Sequence, residues 1–273
     1  MTDIEFATLD PSNPAEVEEW WDVLVASSTH DLPDCPVPSR PVGVLTALHP
    51  TQFVSQEHLV ARVAGATAAN AALTWSHTDN RHLLEFGLDV HPRFRRRGVG
   101  TALLAEVERR ARVDGRDTLV VYTQQGLPGG PPRSEAGGRF AERTGFTEGL
   151  REIHRRVDLT TVDESALDDR LAAGWEKADG YRLVQWIGEP SDRCLIEGMA
   201  YLDSRLVMDA PMGDLDLQPL SDDTDRMRAR RSECATAASC RSTPVSGTST
   251  VGVWWRGVRS WSTRTTRRTR SKR

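Results

Sequence analysis

Residues Leu88–Leu104 read LDVHPRFRRRGVGTALL, and the fold is decided in this stretch. Extended LDV runs into a turn in which Arg95, Gly98 and Gly100 stand in an R-x-x-G-x-G pattern. Beyond it Val99, Leu103, Val107 and Ala111 recur at helical spacing, so a helix begins on the glycines and runs to about Asp114. A turn of this kind leaves backbone N–H groups open at a helix N-terminus, where a phosphate is stabilised by hydrogen bonds and by the helix dipole. Glycine permits close approach, Arg95, Arg96 and Arg97 add positive charge, and Thr101 brings a hydroxyl donor. A dinucleotide fingerprint is excluded, because Ala102 and Leu103 follow Thr101 where a third glycine is needed, and no GK[ST] P-loop is present. By itself the glycine pair also fits an ordinary helix start in an α/β protein.

Outward from this turn the elements alternate. IEFATL (residues 4–9) alternates as a strand, and Asn13-Pro14 opens an amphipathic helix, AEVEEWWDVLVAS, with acids in its first turn. The proline-rich stretch from His30 to Pro50 has no period. HLVARV and TAANAALTW, on either side of Gly65, read as a hairpin, and His82–Val90 as a third extended run. Downstream, DTLVVYT (117–123) is a β-branched strand and QQGLPGGPPRSEAGG a loop; a short helix, GRFAERTG, and a closing strand over Arg151–Asp158 follow.

The chain's 273 residues are 38% hydrophobic and 27% charged, without an apolar run of membrane-spanning length. The acidic start, MTDIEFATLD, is unlike a signal peptide, and a cytoplasmic location is expected. Cys35, Cys194, Cys234 and Cys240 have no metal-ligand spacing and read as free thiols. The net charge of −4 conceals an asymmetry: nine basic residues and no acidic one lie beyond Cys234, leaving 26 basic against 39 acidic residues elsewhere. An acidic body gives a nucleic-acid function little electrostatic support.

The turn resembles motif A of the GNAT superfamily of acetyl-CoA-dependent N-acyltransferases, whose signature is Q/R-x-x-G-x-G/A. LDVHP resembles the end of that family's fourth strand, and RFAERTGF (139–146) its motif B, a helix closing on Gly-Phe. Order and spacing agree over residues 1–158. The resemblance implies an α/β GNAT fold, a mixed, mostly antiparallel sheet flanked by helices, with acyl-CoA lying between splayed fourth and fifth strands. It implies that Arg95, Arg96, Arg97, Gly98, Val99, Gly100 and Thr101 cradle the pyrophosphate. The main chain of Leu88, Asp89 and Val90 would hold the pantetheine arm, with an N–H near Val90 for the oxyanion. Acetyl-CoA is then a co-substrate, no metal is needed, and the partner is a small-molecule amine that attacks the thioester directly.

Two departures bear on catalysis. Many family members place a tyrosine in motif B to protonate the thiolate; here Phe140 is followed by Ala141, and Tyr122 at the end of the fifth strand is the substitute to weigh. The positions matching the usual base are Leu84 and Phe86. Glu85, the candidate base, is one residue out of register, and strand alternation aims it at the opposite face unless a bulge re-aims it. The alternative is a catalytically degenerate CoA-binding or structural domain, or a nonfunctional truncated product. Trp20 and Trp21 are expected to divide between the core and the rim of the first helix. His77, His82 and His91 read as loop or strand-end residues, and DLPDC (31–35) lies where an acceptor-side loop belongs.

Past residue 158 the pattern restarts with a helix around 166–173, a strand over YRLVQWIG and a helix over 191–206. Residues 159–230 resemble a linker and the opening of a second GNAT-like unit, as in actinobacterial tandem-GNAT proteins, without a second motif A. Residues 231–273 have neither period and hold Trp254, Trp255 and Trp261 with nothing obvious to pack against. They are expected to be disordered. A frameshift near codon 230 would explain this composition, since a GC-biased back-translation read in the alternative frame gives a strand and an acidic turn; the rival reading is a basic arm.

Overall fold

The computed structural model describes residues 3–35, 37, 40, 44, 52–153, 157–186, 192–221, 223–228 and 262–268. Its elements run β1 (Ile4–Thr8), α1 (Pro14–Asp31), β2 (Val54–Val63), β3 (Ala66–Ser76), β4 (Leu83–Val90), a 3-10 turn (Pro92–Phe94), α2 (Val99–Val113), β5 (Thr118–Gln124), α3 (Ala136–Arg143), β6 (Thr147–Glu152), α4 (Glu164–Trp175), α5 (Arg193–Asp209) and β7 (Ser262–Arg268). The strands form one sheet in the order β1-β2-β3-β4-β5-β7-β6. Every pair is antiparallel except β4 and β5, which run parallel. This is the mixed, mostly antiparallel sheet that the resemblance implies.

Both faces of the sheet are covered, and strand alternation decides which side chain goes where. Leu59 and Ala61 of β2, Leu73 of β3, Leu84 and Phe86 of β4, and Leu119 and Val121 of β5 pack against Val99, Leu103, Val107 and Ala111 of α2. These α2 positions are the helical stripe read from the sequence. Val60, one residue out of phase with Leu59, faces the other way and joins Leu9, Trp20 and Trp21 under α1. Both tryptophans are buried, at 2% and 6% exposure, so the expected division between core and rim is corrected: α1 lies flat enough on the sheet to bury two adjacent positions. Asn70 reaches across from β3 to donate to the Trp20 carbonyl at 3.0 Å, anchoring α1 at mid-length.

α1 starts where its sequence signals it, Asn13 accepting from the N–H groups of Ala15 and Glu16 with Pro14 in the first turn. The closing strand lies earlier than expected, at Thr147–Glu152 rather than 151–158. It pairs with β7 alone. The expectation of a structureless tail is corrected for Ser262–Arg268, whose backbone fills the gap between β5 and β6. A ladder on both sides selects an extended conformation that the side-chain pattern of STRTTRR does not announce. The remaining tail residues, Trp254, Trp255 and Trp261 among them, lie outside the described residues.

The second half docks on the end of the sheet remote from the motif A turn. Asn80, between β3 and β4, accepts from the Gln218 N–H at 2.7 Å and donates to the Gln218 carbonyl at 3.3 Å. Its neighbour Asp79 accepts from the Ser221 N–H and pairs with the Arg226 guanidinium. His82 meets the Asp216 carbonyl at 2.9 Å. Arg226 also donates to the Ser221 carbonyl at 2.6 Å, and its side chain keeps only 10% exposure. Gly213 lies against the Gly149 carbonyl so closely that a Cβ there would fall inside van der Waals contact. By contrast α4 buries none of its residues, although Leu167, Leu171 and Trp175 form an i, i+4, i+8 stripe. The strand expected at YRLVQWIG is corrected over the described part: residues 181–186 have no regular structure, Tyr181 is 80% exposed, and among the described residues no strand pairs with them.

Candidate functional site

A cleft of about 1050 Å³ opens between β4 and β5. Its cause is visible in the register. β4 and β5 pair from Leu83↔Thr118 to Phe86↔Val121 and then part, although both strands continue for another three or four residues. On its other side β4 stays paired with β3 as far as Val90↔Ala69. The His91 N–H donates to the Ala68 carbonyl at 2.9 Å. That bond makes Val90↔Ala69 a non-hydrogen-bonded pair, so in the antiparallel alternation the main-chain groups of Val90 and Leu88 point away from β3. They face the opening. Asp89 between them spends its own main chain on Asn70.

One end of the cleft is the motif A turn. Gly98, the N-cap of α2, has φ +85°, and Arg96 has φ +63°, so two left-handed residues curl the backbone ahead of the helix. No side chain caps α2, and its first internal bond runs from the Ala102 N–H to the Gly98 carbonyl. The N–H groups of Gly98, Val99, Gly100 and Thr101 have no partner among the described residues. A Cβ on Gly100 would stand 3.3 Å from Val90 Cγ2 and 3.7 Å from the Phe140 ring, so glycine lets α2 close on both. Open donors, a glycine cradle and the adjacent Arg96 fit an anionic phosphate group.

Of the residues singled out in the sequence, Leu88, Asp89, Val90, Arg95, Arg96, Gly98, Gly100 and Thr101 line the cleft. Val99 does not, its side chain being 1% exposed in the core; only its N–H is on offer. Arg97 does not either, its guanidinium lying 5.7 Å from the Phe94 ring centroid. The Arg95 side chain corrects the expectation of a phosphate ligand. Its Nε donates to the Val90 carbonyl at 2.9 Å, Nη1 and Nη2 grip the two oxygens of Asp31 at 2.6 and 2.9 Å, and Nη2 reaches Ser27 Oγ at 3.1 Å. It ties the end of β4 to the end of α1. Burial works to raise the Asp31 pKa, but hydrogen bonds from Arg95 and His30 and the Arg95 charge prevail and lower it.

Glu85 is corrected as well. It pairs in register with Thr74 and Val120, is exposed, and has no place in the cleft wall; β4 has no bulge to re-aim it. The residue that sequence reading passed over is the Asp89 side chain. It projects to the α1 face, and burial raises its pKa, with Asp31's charge adding to the rise while the Ser27 hydroxyl and Arg95 oppose it. The only sequence signal was its parity with Glu85 on the strand. Tyr122 lines the cleft from β5, opposite Phe140 of α3. Asp31 and Leu32 of the DLPDC segment line it too, while Asp34 and Cys35 hold Arg133 at the rim, the thiol at 3.3 Å. His77 bonds Ser55 and the Gln52 carbonyl, a structural role. His91 caps the 3-10 turn; burial, then Arg93 and Arg95, lowers its pKa.

A mixed sheet parted between two parallel strands, with an uncapped helix start at the mouth, is the arrangement of the GNAT fold. The model of the acetyltransferase (GNAT) family matches residues 17–126. A tandem GNAT protein from the clavulanic acid biosynthesis pathway, solved without AcCoA, is 22% identical with a TM-score of 0.59, over 88% of this chain and 67% of that one. The likeness is one of fold. A GNAT-family acetyltransferase structure from Desulfovibrio desulfuricans is 20% identical (55% of this chain, 89% of that chain, TM-score 0.43). That of yncA from Salmonella typhimurium, solved with acetyl-CoA, is 17% identical (57%, 87% and 0.42). No curated protein matches the chain. Among the described residues no helix is long and apolar enough to cross a membrane, and no group of three or more His, Cys, Asp or Glu is arranged to hold a metal.

Proposed function

We propose that the protein transfers an acetyl group from acetyl-CoA to the amine of a small molecule. One observation carries this reading: the parting of β4 from β5 leaves the Leu88 main chain and the Val90 N–H open beside the uncapped start of α2. In this reading residues 1–158 are the acyl-CoA-binding unit and 159–230 an attached partial second unit. Gly98 to Thr101 offer N–H groups to the pyrophosphate, with Arg96 beside them. Leu88 and Val90 extend strand-like hydrogen bonds to the pantetheine arm. An N–H of this pair, fixed by the β3 ladder before any ligand arrives, stabilises the carbonyl oxygen as negative charge develops on it. The match of residues 17–126 to the acetyltransferase family supports the chemistry.

Calorimetric titration with acetyl-CoA tests the reading, alongside Gly98→Glu, which puts a carboxylate among the open donors. Saturable binding lost in the variant, with thiol release in the presence of primary amines, is the expected result. A folded protein that binds no acetyl-CoA would reduce the turn to a helix start and leave the degenerate-domain reading in its place.

A further inference from the structure

We infer that Asp89 is the proton acceptor for the amine, so that the acceptor enters from the α1 face of the sheet; the inference rests on the acetyl-transfer reading above. Among the described residues three carboxylates line the cleft, Asp31, Asp89 and Glu135. Asp31 is committed to Arg95 through both oxygens, and Glu135 is exposed and pairs with Arg139 at 2.5 Å. Asp89 forms no ion pair among the described residues, and the Ser27 hydroxyl is placed to stabilise its ionised form. Ser27 is 4% exposed, and its Oγ accepts from Arg95, so the hydroxyl has its proton free for Asp89.

The sheet separates the two substrates. The start of α2 lies on the face where Leu84 and Phe86 point, so the phosphate end of the donor is held there. Asp89, of opposite parity, stands on the α1 face, where the opening between β4 and β5 emerges. The groups facing it are Ser27 and Asp31, with His30 beyond them on α1, Arg95 from the turn after β4, and Asn70 across the ladder. Burial and the neighbouring Asp31 favour its protonated form, which suits a carboxylate that must take a proton near neutral pH. With Asp89 ionised, two carboxylates and one guanidinium leave this corner net acidic, matching a substrate that arrives as an ammonium ion.

The step balances as follows. The acceptor ammonium gives one proton to the Asp89 carboxylate, and its nitrogen lone pair bonds to the thioester carbonyl carbon. The C–S bond breaks with its electron pair on sulfur. A second proton passes from nitrogen to that thiolate, giving the amide and the free thiol, and Asp89 returns its proton to solvent.

The experiment uses the full chain, acetyl-CoA and thiol release between pH 5.5 and 9, with a panel of primary amines and with water alone as the probe nucleophile. Wild type is expected to lose rate along an acidic limb. Asp89→Asn is expected to lower the rate by about 100-fold or more and abolish that limb. Its acetyl-CoA affinity, measured by calorimetry, stays within about twofold of wild type, because only the main chain of this segment faces the donor. Asp89→Glu retains the limb at reduced rate. An Asp89→Asn enzyme with the wild-type pH profile overturns the assignment while acetyl-CoA binding keeps the transfer reading intact. Absence of acetyl-CoA binding in the wild type overturns both.

Discussion

Arg95→Ala distinguishes a phosphate ligand from a structural latch. Motif A makes Arg95 part of the cradle, yet its guanidinium is spent on Asp31, Ser27 and the Val90 carbonyl. The Arg95 and Asp31 side chains are 20% and 29% exposed, intermediate between a surface pair and a buried one. Surface pairs contribute about 0–1 kcal/mol, and breaking a buried pair costs about 3–5 kcal/mol, which places the bidentate latch at about 2 kcal/mol. For an ordered body of this size that corresponds to a fall in Tm of about 4–8 °C at pH 7.5. The pH dependence follows from Asp31, whose pKa is lowered in the folded protein. Stability from such a group is full above the ordinary carboxylate pKa and is lost as pH falls through the depressed value. The gap between wild type and variant therefore narrows in acid. Thermal melts at a series of pH values, with Asp31→Asn as the second arm of a double-mutant cycle, measure this, and calorimetry with acetyl-CoA runs alongside. An unchanged Tm together with a more than tenfold loss of acetyl-CoA affinity would refute the latch and restore Arg95 to the phosphate.

Arg226→Ala leaves Asp79, whose side chain is 13% exposed, without its guanidinium and frees the 214–228 segment; a loss of about 3 kcal/mol is expected, read as a lower Tm and as new protease cleavage between 153 and 192. Gly213→Ala forces the same segment off the Gly149 carbonyl and gives the same cleavage pattern. Asp89→Asn changes stability with the opposite sign to Arg95→Ala. Burial raises the Asp89 pKa, so the stability it supplies is present below the ordinary carboxylate pKa and is lost as pH rises through the raised folded value. The variant is expected to melt above wild type at pH 8, with the gap closing near pH 4; a lower Tm across the range counts against a raised carboxyl.

Local rules wrote the motif A turn into the sequence. Glycines at the positions that need a left-handed backbone and a close helix approach, a strand before them and an apolar stripe after them, are readable without a partner. What depended on distant partners was not. Arg95 could be placed beside the glycines, but the acceptors that draw its side chain away lie 64 and 68 residues earlier on α1. Asp89 looked like a main-chain contributor because only the packing of α1 shows what its carboxyl meets. The two strand errors have one cause with opposite signs. Tyr181–Trp186 alternates like a strand but has no ladder to join, whereas Ser262–Arg268 lacks the alternation and is extended because β5 and β6 offer two.

The two ends of β4 separate chemistry from attachment. Its last residues, Leu88 to Val90, form the cleft wall, while the turn before its first residue carries Asp79, Asn80 and His82, the contacts that hold the second half. Between residues 147 and 228 no described residue lines the cleft. The attached segment therefore acts on the site indirectly, through β6, which it touches at Gly149, and through the rigidity of the β3–β4 hairpin, whose ladder fixes the direction of the Leu88 and Val90 N–H groups. Loosening the attachment at Arg226 should lower stability and leave the affinity of the folded state for acetyl-CoA nearly intact. Loosening the latch at Arg95 acts at the other end of the same strand, where the Val90 carbonyl itself is a partner, and should disturb both.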